Sequence, residues 1–302
     1  MFIITYRKFF YAFSSVVITA SVVAIALWGL KPGIDFRGGS LLEITYQKDA
    51  PTESQVHEAL AHLSLGDASV RKTGELGYII RLRELTDSEH EAVKAALSFG
   101  GAKPLTEGRF DSVGPVLGSE AARKSLLSIL LVIICIVLFI TFAFRRVSEP
   151  VSSWKYGVIA IVALLHDVIV PAGAFAVLAH FTGAEADTLF VTALLVVLGF
   201  SVHDTIVVFD RVRENLKVSR ENRDRKDFAT IVGESIAQTF VRSVNTSLTT
   251  LLALLALYLL GPEITRTFSL VLIIGITAGT YSSIFLGSPL LVTVEKWQNK
   301  GK

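Results

Sequence analysis

The chain has 302 residues, 51% of them hydrophobic and 19% charged, with a formal net charge of +2 and a mean hydropathy of +0.55. Soluble domains carry about 25% charged residues, so this balance belongs to a membrane protein. A charge so near neutrality gives no footing for nucleic-acid binding, and the single cysteine, Cys135, excludes an intrachain disulfide.

A helical span takes roughly 20 apolar residues at 1.5 Å rise each. Six runs reach that length, at 9–30, 126–144, 156–181, 189–209, 239–260 and 268–294, and are labelled TM1 to TM6. TM1 follows Arg7 and Lys8 and contains a small-x-small pattern at Ala24 and Ala26, as a cleaved signal would. Its apolar run continues through Leu27, Trp28 and Leu30, longer than a signal core, which favours an uncleaved anchor.

Residues 31–122 read as a folded domain. Extended runs are expected at 41–46, 68–73, 77–82 and 109–113, with Gly74 turning the middle pair. Thr52-Glu-Ser-Gln55 and Thr86-Asp-Ser-Glu89 each write a capping box ahead of a helix. The order βαββαβ is that of a ferredoxin-like split sandwich. No metal-ligand spacing, nucleophile elbow or phosphate loop is present, so no enzyme, cofactor or metal is expected.

Residues 123–302 then form a five-helix membrane domain, TM2 to TM6, with a charged connection at 211–238. An ionisable group within a span costs about 2.5 to 3.5 kcal/mol at its centre and marks function by default. TM3 holds His166 and Asp167, followed by Pro171, which cannot donate to the Asp167 carbonyl. TM4 holds His203 and Asp204; TM5 holds Arg242 near its start, at a depth where it could meet Asp204. Ser235, Gln238, Arg242, Asn245 and Thr249 draw one polar stripe along TM5, expected to point into the bundle or a water path. TM6 carries Gly275, Gly279, Ser283 and Gly287 at fourfold spacing, a seam for close helix packing.

Lys and Arg set the orientation. Arg7 and Lys8, then Arg145, Arg146 and Lys155, then seven residues between TM4 and TM5, then Lys296, Lys300 and Lys302 share one side, against Arg266 on the other. Both termini are therefore expected in the cytoplasm, with residues 31–122 exported.

Four ordered segments, GIDFRGGSLLEI (33–44), ALLHDVIV (163–170), GFSVHDTIVVFDRVREN (199–215) and RSVNTSLTTLLALLAL (242–257), together resemble the SecD/SecF family of bacterial protein-export membrane proteins across the whole chain. The resemblance implies half of a transporter of RND-superfamily plan in the inner membrane. It implies pairing with SecD, association with the SecYEG channel and with YajC, and use of the proton-motive force to draw secreted chains outward after SecA has pushed them. It assigns proton conduction to Asp204 and Arg242, and places Asp35, Arg37, Gly38 and Gly39 in a motif leading into the exported domain, in contact with the unfolded secretory substrate or supporting its motion. Asp167 joins the proton-conducting set as an expectation, with His166, His203, Asn245 and Thr249 as supporting polar groups and membrane lipid as surroundings. Two rivals remain: a proton-driven exporter of small solutes, and an intramembrane aspartyl hydrolase using Asp167 and Asp204. The second has neither a GxGD nor an HExxH pattern behind it.

Overall fold

The structure, a computed structural model, describes residues 2–66, 68–143, 151–223 and 226–300. The chain divides into two compact units, Pro32–Leu126 and the remainder, Met1–Lys31 with Leu127–Lys302. A one-turn helix α1 (Phe2–Thr5) leads into α2 (Arg7–Trp28), the first span.

The inserted unit opens with a single turn, α3 (Ile34–Arg37), and continues as β1 (Gly39–Tyr46), α4 (Glu53–Ala61), β2 (Ser69–Thr73), β3 (Gly77–Leu82), α5 (Asp87–Leu97) and β4 (Leu105–Val113). The sheet order is β2-β3-β1-β4 with every pair antiparallel, the ferredoxin-like arrangement. Alternation fixes its register: Leu42 pairs with Ile80 and Ile44 with Tyr78, all four buried. Val56 and Leu60 of α4 and Val93 and Leu97 of α5 cover that face, and the buried Tyr46 hydroxyl donates to the Leu97 carbonyl at 2.9 Å. Both capping boxes form, at Thr52 with Gln55 and at Thr86 with Glu89. Strand β4 starts four residues before the run read from sequence. Glu43 pairs with Arg109 and Ile44 with Glu107, so Gly108 is the extra residue of a β-bulge, and a bulge interrupts the alternation by which a strand is recognised.

Helix α6 (Pro115–Ala143) begins in the inserted unit and continues into the membrane unit, which holds α7 (Ser153–Thr182), α8 (Thr188–Glu221), α9 (Phe228–Leu260) and α10 (Glu263–Ser282), then a π-helical turn, Ser283–Gly287, and α11 (Ser288–Lys300). Among the described residues six helices are long and apolar enough to cross a membrane, the last formed by α10, the π turn and α11 together. The residues from 144 to 150, with Arg145 and Arg146, lie outside the described residues, as do Arg225 and Lys302. The connection expected over 211–238 is mostly helix: α8 runs on to Glu221 and α9 begins at Phe228. Ion pairs three residues apart, Arg213 with Asp210 at 2.7 Å and Arg211 with Glu214 at 2.9 Å, support that extension, and Val212 and Leu216 bury themselves in one cluster with Phe228, Ile231 and Val232. Asp227 caps α9 by accepting from the Thr230 backbone at 3.2 Å.

The first three positions of the TM6 seam lie against α8, while Gly287 faces Ala163 of α7. A methyl at Gly279 would stand 3.0 Å from Cβ of Ser201, one at Gly275 would collide with Val197, and Ser283 shares a 2.9 Å hydrogen bond with Thr205. The α8 residues Val197, Ser201 and Thr205 thus repeat the same fourfold step.

The inserted domain carries an acid-sensitive pair. Glu89 accepts from Arg83 and, closing its capping box, from Thr86, and these bonds pull its carboxyl from an ordinary 4.5 to about 2. The unfolded acid titrates at the higher value, so the contribution is complete above about pH 4.5 and is lost as pH falls toward 2. The melting-temperature difference between wild type and Glu89→Gln is therefore expected to shrink over that window, and a constant difference would refute the linkage.

Candidate functional site

Three helices converge on Asp167 in the middle of α7. Its side chain is 0% exposed, and three groups surround it: Ser201 of α8 and Ser282 of α10 donate to Oδ2, the latter at 2.7 Å, and His166 Nδ1 lies 2.8 Å from Oδ1. His166 is buried too, stacked on the Tyr281 ring with centroids 5.9 Å apart. Tyr281 in turn donates to the Phe10 carbonyl at 3.1 Å and accepts from Ser14 at 3.2 Å, tying the first span to the last. A carboxyl excluded from water is tolerable only when its oxygens are met by donors, and here both are met.

Asp204, three residues beyond Ser201 on α8, is served differently. It is 2% exposed, and the hydroxyls of Ser243 on α9 and Thr280 on α10 face it. Oδ2 nevertheless has no hydrogen-bond partner among the described residues, and neither has the Ser243 hydroxyl. The Thr280 hydroxyl is engaged with Ser247 at 2.5 Å and with the Ile276 carbonyl at 2.9 Å. His203 and Asp167 are close enough to act on Asp204 electrostatically.

The polar stripe expected along α9 divides. Ser235 is buried, but Gln238, Arg242, Asn245 and Thr249 are exposed, on a face that this chain's own helices leave uncovered. The face turned inward is Ser235, Thr239, Ser243 and Ser247, spaced by four throughout. Neighbouring residues on a helix point about 100° apart, so a stripe spaced by threes and fours and a ladder spaced by fours run side by side and are easily exchanged on paper. Packing decides between them: Ser and Thr let α9 approach α10 and α8, and an Arg or Gln would not. His203 is likewise exposed on α8. Among the described residues no three His, Cys, Asp or Glu side chains gather in a way that could hold a metal ion.

The segment of Asp35, Arg37, Gly38 and Gly39 is a tight backbone crossing within the inserted unit. Asp35 sits in the single turn α3 and Arg37, exposed, ends it. Gly38 has φ +80°, and a methyl on it would lie 2.6 Å from Cα of Pro115, at the start of α6. Gly118, one turn into α6, approaches the Gly38 nitrogen as closely, at 2.7 Å from where its own methyl would stand. Gly39, at φ +128°, would push a methyl to 2.7 Å from the Leu82 carbonyl oxygen. Only glycine meets both demands, on φ and on space.

Residues 94–297 match the family described as protein export membrane protein SecD/SecF, C-terminal, and residues 25–50 match the SecD/SecF GG motif. The chain belongs to the SecD/SecF family. It is 43% identical to the protein translocase subunit SecF of Thermobaculum terrenum, over 99% of this chain and 94% of that one. The SecF subunit of Anaerolinea thermophila is 38% identical, over 97% and 94%. The crystal structure of SecDF, a translocon-associated membrane protein from Thermus thermophilus, superposes with a TM-score of 0.82 at 30% identity, covering 98% of this chain. The chain spans 38% of the length of that SecDF chain. A second SecDF structure, in a super-membrane-facing form, superposes with a TM-score of 0.67. Asp167, Asp204 and Arg242 all fall within the SecD/SecF C-terminal match, and Gly38 and Gly39 within the GG match, so the family's glycine pair is the crossing against Pro115 and Leu82.

Gly38→Ala is expected to destabilise the inserted domain by at least the 1–3 kcal/mol of a strained backbone, because the α6 backbone must also move. Gly100→Ala, at φ +67° with nothing within 4 Å, carries the strain alone and is the control. Thermal melts of the full chain compare the two; equal losses would remove the packing argument.

Proposed function

We propose that this chain is the SecF-type subunit of a bacterial Sec protein translocase, a multi-pass protein of the inner membrane with both ends in the cytoplasm and residues 31–122 outside. It works with SecD, and through that pair with SecYEG, YajC and SecA, using the proton-motive force to move unfolded secretory chains outward. Kinship with SecF translocase subunits along nearly the whole chain supports the assignment to export.

The observation that carries the proton reading is the unmet Oδ2 of Asp204. A buried oxygen without a partner costs about 1–3 kcal/mol, more if charged. A proton on it turns an orphaned acceptor into a donor facing the Ser243 hydroxyl, so binding and release of that proton change what α8 and α9 can say to each other across the bundle. Arg242 immediately precedes Ser243 on α9, and a rotation of that helix or a swing of the long side chain brings a guanidinium to the carboxyl in place of a hydroxyl. Whether the acid holds its proton then depends on which of the two it meets. His203, Asn245 and Thr249 support the route as polar groups beside it. Asp167, with both oxygens engaged, is proposed to accompany Asp204 as a second acid of the conducting set, with His166 as its neighbour.

The exposed polar face Gln238, Arg242, Asn245 and Thr249 supports a partner half-transporter. Polar side chains in hydrocarbon are expensive and face protein or water. A SecD half with the same helical plan covers them. Energetically, one proton crossing 100 mV contributes about 2.3 kcal/mol, and inverting a population from 1:99 to 99:1 takes about 5.5 kcal/mol. More than one proton per cycle, or two nearly balanced conformations, meets that need.

The test is preprotein translocation into vesicles holding SecYEG, SecA, SecD and this chain, with and without a proton-motive force. Asp204→Asn is expected to assemble and to lose the force-dependent part of the rate; unchanged stimulation removes Asp204 from the mechanism. Asp167→Asn is expected to lower both stimulation and melting temperature, since it replaces an acceptor of two hydroxyls, and loss of stability alone would restrict Asp167 to packing.

A further inference from the structure

A cleft of about 340 Å³ lies at one end of the membrane unit, between the first turns of α7 and the last turns of α11. Trp154, Lys155, Val158, Ile159, Val294, Trp297 and Gln298 line it. None of them belongs to the acids and hydroxyls described above. Its size falls in the range of small-ligand sites, about 300–1,000 Å³.

The lining is graded along the helix axes. Val158, Ile159 and Val294 lie on the side toward the middle of the spans, and Trp154, Lys155, Trp297 and Gln298 on the side toward the helix ends. Helix α7 at 1.5 Å per residue is longer than a hydrocarbon core of about 30 Å, so its first turns stand at headgroup depth. Indole rings collect at that depth because they offer an apolar body and one donor. Both here are largely exposed, Trp154 at 59% and Trp297 at 73%.

Lys155 provides the charge. Its ammonium donates to the Gln298 amide oxygen at 2.9 Å and lies 5.8 Å from the centre of the Trp154 ring. Among the described residues no carboxylate pairs with it within 4.0 Å, so a half-buried cation is held by neutral groups at the lip of an apolar cleft. Two of its three protons remain for an acceptor.

We propose that this cleft binds one anionic phospholipid, its phosphate on Lys155, its headgroup between the two indoles and the start of an acyl chain along Val158, Ile159 and Val294. A net-negative headgroup is selected over a zwitterionic one because the latter brings its own ammonium to a cation that meets no carboxylate among the described residues. The length of apolar wall below the cation selects a lipid over a free phosphate ion, which could use Lys155 alone. The site is independent of the reading of Asp204 and would be present whether or not that acid carries protons.

The two tryptophans report on it directly. In the full chain carrying Trp28→Phe, they are the only indoles left. The protein is reconstituted into phosphatidylcholine vesicles containing a minority of brominated phosphatidylglycerol or, separately, of brominated phosphatidylcholine, and indole fluorescence is recorded. The expected result is a preference for the brominated anionic lipid on the order of fivefold, the scale of one cation at a membrane surface. Lys155→Gln should abolish it and Lys155→Arg should keep it. Equal quenching by the two lipids in the Lys155 protein overturns the proposal, as does a preference that survives Lys155→Gln. Inorganic phosphate in the buffer should leave the preference unchanged; relief of quenching by phosphate would show an ion site in place of a lipid site.

Discussion

The membrane unit depends on how closely α10 can lie against α8. Gly275 and Gly279 have no side chain to hold the helices apart, and the gap they leave is filled by Val197 and Ser201. That contact sets the position of everything polar in the bundle. Ser201 reaches Asp167 from one side because it sits under Gly279, and Ser282 reaches it from the other because it is three residues further along the same helix. Ser283 meets Thr205 in the next layer, and Thr280 faces Asp204. In hydrocarbon no hydrophobic driving force joins helices, so this tight packing and the hydroxyl bonds it allows are what hold the helices together.

The two buried acids therefore share a scaffold but not an environment. Asp167 has His166, Ser201 and Ser282 arranged around it and leaves no oxygen unmet. Asp204 has the Ser243 and Thr280 hydroxyls facing it, but its Oδ2 makes no hydrogen bond of good geometry among the described residues. A completed set of bonds resists change, since any movement breaks several at once. An incomplete one has something to gain from a proton, a water or a different neighbour.

Much of this was legible in the sequence, and the parts that were not share a cause. Six spans follow from run length, the inserted sheet from alternation and two capping boxes, and the TM6 seam from spacing alone. Asp167 and Asp204 stand out because an acid in an apolar run is costly. Their partners do not stand out, because Ser and Thr are unremarkable in a membrane helix. The fourfold repeat Ser235, Thr239, Ser243, Ser247 is nonetheless present in the sequence, beside the larger and more polar Gln238, Arg242 and Asn245. Size was the missing criterion: the face that packs is the one with small side chains. The bulge at Gly108 and the extension of α8 to Glu221 depend on pairing partners and on ion pairs beyond the span, which no local pattern specifies.

The wide turn at Ser283–Gly287 gives the last span a built-in change of phase. The backbone N–H of Ser288, just after the turn, donates to the Ser283 carbonyl five residues back, so one more residue is stored there than a regular coil would hold, and the Ser288 hydroxyl donates to the same carbonyl at 2.7 Å. Because each residue advances a helix by about 100°, the downstream part is turned by that much relative to a straight continuation. Val294 and Trp297 look toward α7, and Thr293 toward Tyr11 of the first span, only by virtue of that offset. Taking up the surplus residue, or passing it along the chain, would rotate the C-terminal third of the span like a dial while leaving Gly275 and Gly279 seated where they are.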